Sequence, residues 1–104
     1  MITYAVLGSS SLSPAIFTSR YTPLLLTATE SRETQFIFSD EPGCATLAAK
    51  FLNERGFRNC TIYHIGDKPR HRIGKYETKG GFLSYGEIEM TLRDDADNLI
   101  EVEK

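Results

Sequence analysis

Short, almost wholly apolar runs recur along this chain between segments of helical period, and that alternation limits the folds open to it more than any other feature. "ITYAVL", from Ile2 to Leu7, is β-branched and aromatic and stops at Gly8, the pattern of a central strand covered on both faces. Ser13-Pro14 then reads as a helix start, because serine caps the free amides and proline loses nothing at the first helical position. Pro23 interrupts that helix, and Thr22-Pro23 restarts it with the same chemistry. "LLLTATESR" leads on to a second strand, "QFIFS", from Gln35 to Ser39. Cys44, Leu47, Ala48, Phe51 and Leu52 fall at i, i+3, i+4, i+7 and i+8, so one face of the next helix is buried, and Gly56 closes it.

"NCTIYHI" reads as a third strand. "GDKPRHRIGKYETKGG", residues 66–81, reads as a long polar loop with no apolar period. Ser84 with Glu87 three residues later is a capping box, and Tyr85, Ile88 and Leu92 share one face of the helix it opens. "NLIEVE" closes the order as a last strand. Strands alternating with helices specify parallel pairing through crossovers. The expectation is an α/β protein: one Rossmann-like three-layer sandwich over residues 1–104, with a small, mainly parallel sheet of about four strands.

At 104 residues the chain suits one domain of modest stability, which pairing into a homo-oligomer would help. No segment approaches the roughly 20 apolar residues that span a bilayer. The start "MITYAVLGSSS" lacks a basic signal-peptide beginning, so a cytoplasmic protein without membrane contact is expected. Cys44 and Cys60 have no CxxC spacing and sit inside predicted elements. They are read as reduced and mostly buried, with no disulfide framework, no metal site and no cofactor. A net charge of −2 argues against nonspecific nucleic-acid binding by the whole surface. The charge is nonetheless polarised. Lys68, Arg70, Arg72, Lys75 and Lys79 stand against Glu77 alone, whereas residues 87–104 carry seven acids against Arg93 and Lys104.

Ligands of open parallel sheets bind beyond the carboxyl ends of the strands, where the order of connections reverses. Three loops qualify: Gly8 to Ser13, Asp40 to Cys44, and Gly66 to Gly81. The first can hold an anion on its amides and hydroxyls at a helix start, or be a plain solvated turn. In the second, Asp40 and Glu41 can accept from ribose hydroxyls or merely complement the helix dipole, and Gly43 allows close backbone approach. The dipole would favour a Cys44 thiolate, while its place on the apolar stripe favours an inert thiol. In the third, Arg70 and Arg72 suit bidentate phosphate recognition, with Lys68 or Lys75 adding point charge; the alternative is a solvated loop answering the acidic segment. His64 reads as a structural hydrogen-bonder, and with His71 makes too few ligands for a metal. Glu87 and Glu89 in "GEIEM" are weak catalytic candidates, able to stabilise an oxocarbenium-like transition state.

The order "GSSSL", "FSDEPGCATLAAKFLNERGF", "TIYHIGDKPRHRIGKYETKGGF" and "EIEMTLRDDADNLI" resembles the SLOG superfamily of Rossmann-like nucleotide sensors. That group includes the LOG phosphoribohydrolases and the DNA-processing A proteins. The resemblance spans nearly the whole chain through short motifs. It implies nucleotide-type contacts from Gly8, Ser9 and Ser10, and from Asp40 and Gly43. Ala45 stands where such turns often have aspartate, Ser10 where several members have arginine, and there is no "PGGxGTxxE" of the phosphoribohydrolases. A binding domain is therefore expected, with a nucleotide's phosphate facing Ser9, Ser10 and Arg70 and its ribose facing Asp40. An N-glycosidic hydrolase or transferase using Glu87 or Glu89, and a protein-interaction or dimerisation module, are the alternatives.

Overall fold

The structure of the protein, a computed structural model, describes residues 1–31 and 33–102. Arg32, in the stretch leading to the second strand, and Glu103 and Lys104 of the acidic segment lie outside the described residues. Five parallel strands form one sheet: β1 (Ile2–Leu7), β2 (Thr34–Ser39), β3 (Cys60–Ile65), β4 (Glu77–Phe82) and β5 (Asn98–Glu101), in the order β4-β3-β2-β1-β5. The helices are α1 (Pro14–Arg20), α2 (Thr22–Ala28), α3 (Cys44–Glu54) and α4 (Tyr85–Asp95), and a single 3-10 turn covers Ile73–Lys75. The chain is thus a Rossmann-like α/β sandwich with five strands among the described residues rather than about four.

The additional strand is β4, inside the stretch expected to be loop. "ETKGGF" carries no apolar run because β4 is an edge strand that buries only Phe82, and its ladder to β3 is interrupted by a register shift between Tyr63 and Ile65. Polar residues and glycines are compatible with such an edge, so periodicity gives no sign of it.

The near-continuous hydrophobicity of the inner strands follows from burial on both faces. Val6, Phe36, Phe38, Ile62 and Ile100 pack with α1, α2 and α3, where Phe17, Leu25, Ala48 and Leu52 form the opposing surface. Ala5, Leu7, Ile37, Tyr63 and Phe82 alternate onto the other face and meet Ile88 and Leu92 of α4. The Cys44-Leu47-Ala48-Phe51-Leu52 stripe faces the sheet as its spacing predicts, joined by Ala45 and Ala49. Both cysteines are free and buried.

Local signals set the helix starts. Ser13 Oγ accepts from Ile16 N at 3.2 Å ahead of Pro14. Ser84 Oγ accepts from Glu87 N at 3.1 Å, while Glu87 Oε1 accepts from Leu83 N at 3.1 Å, which closes the capping box one residue early. No helix among the described residues is long and apolar enough to cross a membrane.

Phe36 is fully buried, against Tyr4 and Phe57 with ring centroids 5.9 and 5.2 Å away, whereas Met90 projects from α4 at 70% exposure. Phe36→Ala should lower the unfolding free energy by about 3–5 kcal/mol in a urea titration. Met90→Ala, which opens no cavity, should stay within about 0.5 kcal/mol of the parent.

Candidate functional site

The connections run outward from β1 through β2 and β3 to β4, and α4 then recrosses the sheet so that β5 pairs with the far side of β1. The order therefore reverses at β1, and a cleft of about 300 Å³ lies at that reversal. Leu7, Gly8 and Ser9 of the β1 end line it, with Ser39, Glu41 and Pro42 of the β2 end, Ala45 of α3, Glu101 of β5, and Ile88, Glu89, Leu92 and Arg93 of α4.

Two of the expected loops are locked together at its rim. Ser9 O accepts from Cys44 N at 3.0 Å and from Leu12 N at 3.3 Å. Gly43 has φ +79°, and a Cβ there would lie 2.4 Å from the Ser10 carbonyl, so only glycine admits the Ser9–Ser10 backbone so close to the start of α3. Ser9 Oγ and Ser11 Oγ are 2.9 Å apart, and Ser9 Oγ also accepts from Ser11 N. Gly8 is fixed from below: a Cβ on it would lie 2.5 Å from the Tyr21 hydroxyl and 2.7 Å from Cys44 Sγ. The Gly-Ser loop is accordingly fixed in its backbone by α3 and Tyr21, while Gly8, Ser10 and Ser11 remain exposed. It is packed onto α1, α2 and α3 and exposes Ser9 to the cleft.

The third loop reaches the same end of the sheet through its backbone. Asp40 is buried; its Oδ2 accepts from Arg70 N at 2.7 Å and its Oδ1 from the Tyr85 hydroxyl at 2.9 Å. Both carboxylate oxygens are thus engaged within the protein. Asp40 does not line the cleft, where its neighbour Glu41 stands instead. The Arg70 guanidinium lies over the Tyr85 ring, 5.3 Å from its centroid, and also lies outside the cleft lining. His71 follows along α3, with Nε2 3.4 Å from Thr46 Oγ1. Burial holds the His71 imidazole below its ordinary pKa, partly opposed by the charge of Asp40. Arg72 is carried away from this site, into a separate cleft beside Arg58.

The electrostatics of the cleft come from three carboxylates, Glu41, Glu89 and Glu101, against one guanidinium. Arg93 donates to both oxygens of Glu101, at 3.1 and 2.7 Å, and from Nε and Nη2 to Glu89 Oε2 at 3.1 and 2.9 Å. The hydrogen bonds to Glu101 and then Glu89 hold its pKa above the usual arginine range. Glu41 Oε1 accepts from the Ser39 hydroxyl at 3.1 Å. Chemically, this is a small pocket with acceptors from Glu41 and Glu89, a Glu101 carboxylate held on both oxygens by Arg93, and an apolar floor of Val6, Ile88 and Leu92.

Of the catalytic candidates, Glu89 lines the cleft and Glu87 is occupied in the α4 cap. Burial pushes the Cys44 thiol up to about 11, opposed in part by its hydrogen bond with Tyr21, so desolvation dominates there. His64 is buried, with Nδ1 3.3 Å from Ile65 O. Among the described residues no group of three or more His, Cys, Asp or Glu is arranged to hold a metal ion. Arg93 and Glu101 are the site residues that sequence reasoning missed. The i, i+4 spacing of Glu89 and Arg93 was a legible signal, but the approach of Glu101 depends on where β5 pairs.

Comparison with known proteins gives no match: no family model, no curated protein and no solved structure matches the chain.

Gly8→Ala should destabilise the protein by about 1–3 kcal/mol in urea unfolding, because the Tyr21 hydroxyl and Cys44 must both give way. Ser10→Ala, at an exposed side chain, should change stability by less than about 0.5 kcal/mol.

Proposed function

We propose that the cleft at the carboxyl ends of β1, β2 and β5 binds a nucleoside or nucleotide-derived small molecule. The observation that carries this reading is the pair of carboxylates in the cleft that each keep an oxygen without a donor among the described residues, Glu41 and Glu89, beside an apolar floor. Carboxylates at such a switch point accept hydrogen bonds from ribose hydroxyls, and apolar side chains cover a base. A volume of about 300 Å³ suits a nucleoside better than a dinucleotide. Three carboxylates disfavour a phosphate inside, so a phosphate group sits at the rim, on Ser9 and the first turn of α3. Glu41 takes the ribose-binding part that Asp40 cannot play while both its oxygens are engaged. The resemblance of the Gly-Ser loop and the α4 segment to the SLOG pattern supports the same ligand class.

Cleavage of an N-glycosidic bond is the second reading, favoured by the position of Glu89 in the cleft. There, held by Arg93, its carboxylate would face positive charge developing on a ribose.

Isothermal titration against the four common nucleosides and their 5′-monophosphates tests the binding. At least one should bind, and Glu41→Gln should weaken it about tenfold, as for loss of a hydrogen bond to a charged group. Absence of heat across the panel with folded protein, or affinity unchanged in Glu41→Gln, would sink the proposal. Chromatography of the same mixtures decides between the readings: free base that disappears in Glu89→Gln supports cleavage, and intact ligand leaves binding alone.

A further inference from the structure

A second cleft, of about 350 Å³, opens at the opposite, amino-terminal end of the strands, between the α3–β3 connection and the Ile73–Lys75 turn. Its lining includes Arg58, Arg72 and Lys75, together with Gly56, Phe57 and Gly74, and no acidic residue among the described ones. None of the three cations makes a salt bridge or a side-chain hydrogen bond with another described residue. The chain carries more acids than bases, yet three positive charges from two separate stretches line this cleft without a counter-charge among the described residues lining it.

The backbone walls that carry these three exposed side chains are held by uncharged contacts. The Tyr76 hydroxyl donates to Phe57 O at 3.0 Å and ties the two walls together. Lys75 N donates to Arg72 O at 3.2 Å, and Ile73 packs against the main core. Gly74 at φ +76° is followed by Lys75 at φ +51°, a left-handed conformation that a lysine adopts only when its surroundings impose it. A Cβ on Gly74 would meet the Tyr76 ring at 2.6 Å, so this turn position admits no side chain unless the ring moves.

We propose that Arg58, Arg72 and Lys75 form a binding site for a small anion bearing two or more phosphate groups. Two guanidinium forks match pairs of phosphate oxygens, and the lysine ammonium adds a point charge that needs no fixed geometry. A multiply charged anion relieves the mutual repulsion of the three cations, which a singly charged one does only in part. The site is separate from the cleft at the carboxyl ends, and it assigns Arg72 and Lys75 a partner that the carboxyl-end site does not offer.

Amide shifts followed by NMR during titration with inorganic triphosphate, in about 150 mM salt to screen diffuse attraction, test this. The expected result is saturable movement confined to residues 56–58 and 72–76. An Arg72→Gln, Lys75→Gln double variant, checked for an unchanged fold by its remaining shifts, should bind at least tenfold more weakly. Lys68→Gln, which removes a charge outside the cleft, should bind as the parent does. Shifts spread without saturation over all basic residues, or equal weakening in Lys68→Gln, would overturn the proposal. Tighter binding of a twelve-nucleotide strand than of triphosphate at equal phosphate concentration would also overturn it, in favour of a nucleic-acid backbone.

Discussion

The Tyr21 hydroxyl donates to Leu7 O at 2.8 Å and accepts from Val102 N at 3.2 Å, and so joins the carboxyl ends of β1 and β5 just past their last ladder partners, Leu7 and Glu101. Those strands meet where the connection order reverses, and β5 is a four-residue edge strand whose sheet neighbour is β1. Its amino end is held by Asp97, which accepts from Thr3 N at 2.9 Å and donates its own N–H to Thr3 O at 2.8 Å. At the other end a fully buried phenol does the equivalent work. A buried tyrosine whose hydroxyl is satisfied contributes apolar area and hydrogen bonds together. The position of Glu101, hence of Arg93 and of one wall of the cleft, depends on it.

The same hydroxyl explains the loop above it. Cys44 Sγ also lies within its hydrogen-bonding reach, and Gly8 passes so close to both groups that no room is left for a side chain. Ser9 then receives the Cys44 amide, and Gly43 takes a left-handed turn to let this happen. Asp40 binds the third loop on the other side, through Arg70 N and Tyr85. The three loops converge because of hydrogen bonds and close backbone packing, and the carboxylates left facing solvent give the cleft its acidic character. The basic side chains of the third loop go elsewhere: Arg70 onto an aromatic ring, Arg72 and Lys75 to the amino-terminal end.

Much of the fold is legible in the sequence because burial leaves a periodic trace. β1, β2 and β3 read as apolar runs since both faces are covered, and α3 and α4 show one apolar face each. β4 is not legible, because an edge strand that buries one phenylalanine leaves a pattern of charge and glycine. At the site, topology located the loops and the capping box located Glu87, both of which depend on neighbours in sequence. The direction taken by Asp40 is set by a partner 30 residues away, and Glu101 is brought to Arg93 by strand order. No local pattern carries that information.

Amide hydrogen exchange in the parent and in Tyr21→Phe is the most direct measurement of whether one phenol closes the switch point. Loss of the hydroxyl removes two hydrogen bonds worth about 0.5–1.5 kcal/mol each, so exchange at residues 100–102 should accelerate by roughly fivefold to 150-fold. Residues 36–38 of β2 should keep their protection in this account. Unchanged exchange at residues 100–102, or uniform acceleration across the sheet, would contradict it.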